Sequence, residues 1–188
     1  MLEELIVAGF GGQGVLSMGM TLAYAGMVED KEISWMPSYG PEMRGGTANC
    51  ITILSDNKIS SPILSSFDTA IVLNQPSMDK FGARVKPGGL LLYDTGTILK
   101  PCERKDITVV GIAATTEALK MKNSRVMNMI ILGAYLHLKP IVSLESIVQA
   151  LKKVLPDKYH HLIPANEKAL EKGEELIHEL EEPVMMVC

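Results

Sequence analysis

"LIVAGFGGQGV", Leu5 to Val15, decides how the chain is read. A short apolar run, Leu5 to Ala8, has the length and composition of a buried strand and is closed by glycine. Four glycines, Gly9, Gly11, Gly12 and Gly14, follow within six residues. Gly12 to Val28 then reads as a helix, with Val15, Leu16, Leu22, Ala23 and Met27 as its apolar stripe. Glycine allows a tight turn and close backbone approach, and a helix start offers free N–H groups to an anion. The segment therefore has the shape with which many nucleotide-binding domains open.

Outward from that turn, strands alternate with helical segments. "EISWMP" reads as a second strand stopped by Pro37, "TANCITIL" as a third and "DTAIVLN" as a fourth. Asn74-Gln75-Pro76 turns into a short helix through Phe81; "KPGGLLLYD" gives a fifth strand ending at Asp94 and "DITVVGI" a sixth. Helices are expected from Ala113 to Lys120, from Val126 to Leu138, after a Ser143 cap, and from Asn166 to Leu180 as a charged, exposed final helix. The expected fold is α/β: an open, mainly parallel, Rossmann-like sheet with helices on both faces. The region "TANCITILSDNKISSPI" is less regular and is expected to hold an antiparallel edge or an excursion. No repeat or linker divides the chain, so residues 1–188 are expected to form one domain.

Gly9-Phe10-Gly11-Gly12-Gln13-Gly14 satisfies G-x-G-x-x-G, but a dinucleotide site also needs an acid ending the second strand. That strand ends Trp35-Met36-Pro37-Ser38-Tyr39, while Glu29, Asp30 and Glu32 sit at its other end. No Gly-Lys-Ser/Thr makes a P-loop either. Three uses of the turn remain: packing alone, a phosphate or CoA site, or contact with a neighbouring subunit.

The stretch "WMPSYGPEMRGGTANC" is the most unusual in the chain. It leaves the carboxyl end of the second strand, where open α/β sheets bind ligands, and should stand beside the glycine turn. Ser38, Tyr39, Glu42 and Arg44 are crowded among prolines and glycines there. Arg44 suits a phosphate or carboxylate, which its planar fork can bind bidentately. An internal Glu42–Arg44 pair that only fixes the turn is the simpler use. Asn128, polar within an apolar helix, is expected either to pair with a loop backbone or to be a satisfied core amide.

"GFGGQGV" followed some 25 residues later by "PSYGPEMRGGTANC", together with "KPGGLLLYD" and "RVMNMIILGA", resembles the gamma subunit of the 2-oxoacid:ferredoxin oxidoreductases. Within that family the wording is most similar to the 2-oxoglutarate, or general 2-ketoacid, type; the indolepyruvate and branched-chain branches are alternatives on substrate. The resemblance implies a hetero-oligomer that decarboxylates a 2-oxoacid oxidatively, forms an acyl-CoA and passes electrons to ferredoxin; a cytoplasmic location is expected from the acidic residues Glu3 and Glu4 that interrupt any signal-like start. It further implies thiamine diphosphate on alpha and beta subunits, and iron–sulfur clusters on beta or a small ferredoxin-like subunit. This chain would be inert alone. Gly11, Gly12, Gln13, Gly14, Tyr39, Glu42, Arg44, Gly45 and Gly46 are the residues expected to face CoA or a sister subunit. None is expected to be a nucleophile or general base. The competing class is a free-standing Rossmann-type nucleotide- or CoA-binding protein.

Composition agrees with a folded chain: 47% of residues are apolar and 21% charged, with a net charge of −4. With no cluster of Lys and Arg standing out, nucleic acid is not an expected partner. "VMNMIILGAYLHL" falls short of the ~20 residues of a membrane helix. Cys50, Cys102 and Cys188 are scattered, and His137, His160, His161 and His178 lack metal-ligand spacing, so no metal site is expected.

Overall fold

The computed structural model describes residues 1–39 and 46–181. Strand β1 (Leu2–Phe10) is followed by helix α1 (Val15–Val28), β2 (Glu32–Tyr39) and β3 (Thr47–Ser55). Then come β4 (Phe67–Val72), α2 (Gln75–Phe81), β5 (Val85–Asp94) and β6 (Thr108–Ile112). Four helices follow: α3 (Ala114–Lys120), α4 (Met127–Leu138), α5 (Leu144–Val154) and α6 (Ile163–Glu181). The sheet order is β2-β3-β1-β4-β5-β6. Strands β1, β4, β5 and β6 are parallel, and β3 is antiparallel to both of its neighbours.

The two-residue period of β1 explains the layers. Leu5 and Val7 pack on one face with residues of α1, α4, α5 and α6, and Ile6 and Ala8 on the other with Met78 and Phe81 of α2. Helices therefore cover both faces, as the sequence pattern implies. The chain leaves β1 through α1 towards β2, and leaves β4 through α2 towards β5 on the opposite side. The carboxyl ends of β1 and β4 thus flank the point where strand order reverses, the usual ligand crevice of such sheets.

The expected excursion is present, in residues 56–66, and β3 is antiparallel, but β3 is a regular strand in the sheet interior rather than at an edge. Two further sequence expectations change. Pro37 does not stop the second strand; it pairs opposite Cys50 and β2 continues to Tyr39. The reason is position, because β2 is the edge strand, where a missing N–H is tolerated. The last helix is not simply exposed. Ala169, Leu170, Gly173 and Ile177 are buried, and α6 makes its closest approach to α4 at two glycines. A Cβ on Gly133 would collide with the Leu170 carbonyl oxygen, and one on Gly173 with that of Ile130.

Polar ties secure the amino-terminal edge of the sheet, away from the glycine turn. Glu3, 5% exposed, accepts bonds from Thr69 Oγ1 at 2.6 Å, Tyr135 OH at 3.2 Å and Lys139 Nζ at 3.0 Å. A buried carboxylate needs such partners.

Candidate functional site at the carboxyl edge of the sheet

The glycine turn is built for close approach. Gly12 and Gly14 have φ values of 101° and 77°, in the region that side chains with a Cβ disfavour. Gly14 is the N-cap of α1 and supplies no side-chain cap; its carbonyl oxygen accepts the first helical bond, from Met18 N at 2.9 Å. The N–H groups of Val15, Leu16 and Ser17 consequently have no intrahelical partner, and the positive end of the helix dipole lies there.

Gln13 holds this turn in place. Its Nε2 donates to the Leu73 carbonyl oxygen at 2.8 Å, and its Oε1 accepts the Phe10 N–H at 2.6 Å. Leu73 N–H in turn donates to Ala8 O at 2.8 Å. The side chain therefore lies across the β1–β4 crevice and spends its amide on the chain's own backbone. Beyond β4 the edge is also tied internally, with Thr97 Oγ1 donating to Leu73 O at 2.9 Å and Thr115 N to the buried Asp94 carboxylate at 3.0 Å. These contacts direct any ligand to the other side of β1.

There the second loop begins and ends. Tyr39 pairs opposite Ala48, and Gly11 N–H donates to Gly46 O at 3.0 Å. The two glycine-rich segments are therefore neighbours, joined by a backbone bond. Between them opens a cleft of about 360 Å³, lined by Phe10, Gly11, Gly12, Gly14, Val15, Leu16, Ser17, Tyr39 and Ala48. Tyr39 is 61% exposed and forms part of its wall. Glu42, Arg44 and Gly45 lie outside the described residues.

A second cavity, of about 450 Å³, adjoins the first at Ser17. Lys122, Asn123, Ser124, Arg125, Asn128 and Asn166 are among its lining residues. Asn128 is 7% exposed and packs directly on Gly14, leaving no room there for a Cβ. Its amide thus stands between the glycine turn and the polar cavity. Sequence reasoning missed Lys122 and Arg125. The available signal was the run "KMKNSR" just before an apolar helix, in which Asn123 caps a 3-10 turn by accepting from Arg125 N.

The cysteines do not suit an iron–sulfur cluster, which takes four thiolates. Cys50 packs on the α1 face of the sheet and Cys102 on the α2 face. Burial pushes the Cys50 thiol up to about 12, against weaker help to its thiolate from Trp35 and Thr52. Its Sγ donates to the Val15 carbonyl oxygen at 3.5 Å, so it acts as a buried packing group. Magnesium diphosphates need carboxylate or similar oxygen ligands, and the described lining of the cleft presents no carboxylate. Among the described residues no helix is long and apolar enough to cross a membrane.

The fold and this edge define an α/β domain with a glycine turn anchored by an internal glutamine rather than opened for a dinucleotide. Residues 4–176 match the pyruvate ferredoxin/flavodoxin oxidoreductase family, and the chain belongs to that family. It is 40% identical over 169 residues to the ketoisovalerate oxidoreductase subunit VorA of Methanothermobacter marburgensis, covering 89% of this chain. It spans only 35% of the length of that relative. With the 2-oxoglutarate synthase subunit KorC of Methanocaldococcus jannaschii it shares 34% identity, over 96% of each chain. Two solved structures are similar. The gamma subunit of a keto/oxoacid ferredoxin oxidoreductase from Geobacter sulfurreducens has a TM-score of 0.80 at 29% identity, covering 95% of this chain and 98% of that one. The 2-oxoglutarate:ferredoxin oxidoreductase from Magnetococcus marinus, solved with 2-oxoglutarate, coenzyme A and succinyl-CoA, has a TM-score of 0.86 at 26% identity. It matches 97% of this chain and 32% of its own.

Proposed function

We propose that residues 1–188 form the gamma domain of a thiamine-dependent 2-oxoacid:ferredoxin oxidoreductase. The assembly would convert 2-oxoglutarate and CoA into an acyl-CoA and carbon dioxide, with electrons passing to ferredoxin. Similarity to KorC over 96% of each chain supports 2-oxoglutarate as the substrate. On this reading thiamine diphosphate supplies the carbanion chemistry and is held by alpha and beta subunits, while the iron–sulfur clusters lie on beta or a small ferredoxin-like subunit.

The observation that carries this chain's own role is the uncapped start of α1, opening onto a cleft walled by both glycine-rich segments. We assign that edge to CoA. The free N–H groups of Val15, Leu16 and Ser17, with Lys122 and Arg125 in the cavity that adjoins at Ser17, suit its phosphates. Phe10 and Tyr39 offer apolar surface to the remainder of the molecule. Arg44 and Glu42 extend the same loop, and a sister subunit is the other neighbour it would serve.

A branched-chain 2-oxoacid is the second reading of the substrate, favoured by the 40% identity to VorA. Co-expression of all subunits, followed by dye reduction with each 2-oxoacid, separates the two. In the complex, Arg125→Ala and Arg44→Ala should each raise KM for CoA about tenfold, the loss of ~1.4 kcal/mol, and leave KM for the 2-oxoacid unchanged. Unchanged assembly, KM and turnover in both variants would remove this edge from function. Isolation of the chain alone and inactive, under conditions that preserve such complexes, would favour a free-standing CoA- or nucleotide-binding protein.

A further inference from the structure

The close contact of α4 and α6 brings together a side-chain cluster far from the glycine turn. His137 stands four residues after Gly133 in α4; Glu174 and His178 lie one and five residues after Gly173 in α6. With backbone against backbone at the two glycines, these three side chains meet. His137 Nδ1 is 3.6 Å from Glu174 Oε1, and His178 Nε2 is 3.8 Å from the same oxygen. The two imidazole rings are edge to face, with centroids 4.3 Å apart.

These separations are too long for hydrogen bonds, which run ~2.7–3.2 Å for N–H···O. They come close to a different length. Ligand atoms held ~2.0–2.1 Å from a tetrahedral zinc ion lie roughly 3.3 Å from one another. One ligand atom from each of His137, Glu174 and His178 lies within 4.8 Å of the other two, and side-chain rotation would bring the three to that spacing. The fourth residue strengthens the case. Glu181 Oε2 lies 3.5 Å from His137 Nε2, the ring nitrogen other than the one nearest Glu174, and a small side-chain movement would bring it within hydrogen-bond range. A carboxylate at the outer nitrogen is the usual support of a metal-bound histidine, fixing its tautomer and raising its basicity.

We propose that His137 Nδ1, Glu174 Oε1 and His178 Nε2 bind a borderline divalent transition-metal ion of the zinc class, with Glu181 accepting from His137 Nε2–H. Two imidazoles select against magnesium and calcium, which prefer oxygen ligands. The half-exposed rim, formed by Glu174 and His178, leaves a coordination position to water. The ion would fasten the last helix to α4. The site is independent of the role assigned to the glycine turn.

The test uses the full chain, stripped with chelator and titrated calorimetrically with zinc chloride. One ion should bind per chain at micromolar affinity or tighter, and magnesium chloride should give no heat of binding. His178→Ala and Glu174→Gln should each weaken zinc binding at least about tenfold, and Glu181→Gln about tenfold through the outer nitrogen. A combined His160→Ala, His161→Ala variant should bind as the parent chain does. Histidine resonances of the unaltered chain give a readout that does not depend on any variant folding: zinc should move those of His137 and His178. No saturable zinc binding, parental affinity in His178→Ala, or zinc-induced shifts confined to His160 and His161 would each overturn the proposal.

Discussion

The side-chain amide of Gln13 donates to the Leu73 carbonyl oxygen at 2.8 Å and so bridges the glycine turn after β1 to the end of β4. The crevice between those strands is where a dinucleotide-binding sheet receives its ligand. Gln13→Glu keeps the acceptor for Phe10 N–H but sets a carboxylate oxygen against the Leu73 oxygen. The expected loss is ~1–3 kcal/mol, read by urea denaturation. Millimolar NAD should leave the melting temperature of the parent chain unchanged.

Gly14 joins two constraints that a double-mutant cycle can separate. Alanine there must adopt φ near 77° and also displace the Asn128 side chain. Gly14→Ala should cost about 2–4 kcal/mol. Adding Asn128→Ala should recover the part due to collision and leave the ~1 kcal/mol due to backbone conformation. Full additivity of the two variants would show that Asn128 does not crowd Gly14 in solution.

Gly133→Ala and Gly173→Ala each place a methyl group against a backbone carbonyl of the facing helix, which cannot swing aside as a side chain does. Each should destabilise the chain by about 3 kcal/mol or more and expose α6 amides to hydrogen exchange. Exchange in β4 and β5 should rise less than in α6.

Cys50 should resist iodoacetamide in the folded chain at pH 8 and react once the chain is unfolded. Cys102, half-buried, should label before Cys50. The thiol's ordinary value of 9.0 is raised to about 12 by burial, so the folded state keeps a proton that the unfolded chain releases. The stability contributed by the buried Cys50 thiol is therefore fully present below pH 9 and is lost as pH climbs from about 9 towards 12. Tyr135 adds to the same alkaline loss, since burial and the neighbouring Glu3 raise its phenol well above 10.0. Cys50→Ala should flatten the first part of that decline.

Glu29 predicts behaviour at the acid end. Burial opposes its charge, but the Ser143 N–H at 2.6 Å, with the Ser146 and Ser143 hydroxyls and Lys31 nearby, holds its carboxyl below the ordinary 4.5. The contact joins the end of α1 to the start of α5. Its contribution is present above pH 4.5 and is lost as pH falls through the lowered value. Glu29→Gln should cost ~1 kcal/mol at pH 7 and little at pH 3, by thermal melts at both.

Much of the candidate site was legible because its signals are local. The glycines between a strand and a helix, and the proline- and glycine-rich segment after the second strand, each declare a turn by their own backbone preferences. Direction along the strands sufficed to place both at one edge, and the Gly11–Gly46 bond joins them there. Lys122 and Arg125 were not legible as part of that edge. Nothing in "KMKNSR" specifies that the start of α4 packs beneath Gly14.

The sequence by itself determined the alternation of elements, the α/β class, the glycine turn and the family resemblance. Hydrophobic period, caps and turn residues act over a few positions, and motif spacing is read along the chain. Tertiary structure alone decided that β3 lies inside the sheet, that Pro37 occupies an edge, and that Gln13 closes the β1–β4 crevice. It also decided that His137 meets Glu174 and His178. Those facts depend on which surfaces bury one another across long stretches of chain. At Gly133 and Gly173 that choice rests on two missing methyl groups, whose meaning emerges only when the helices touch.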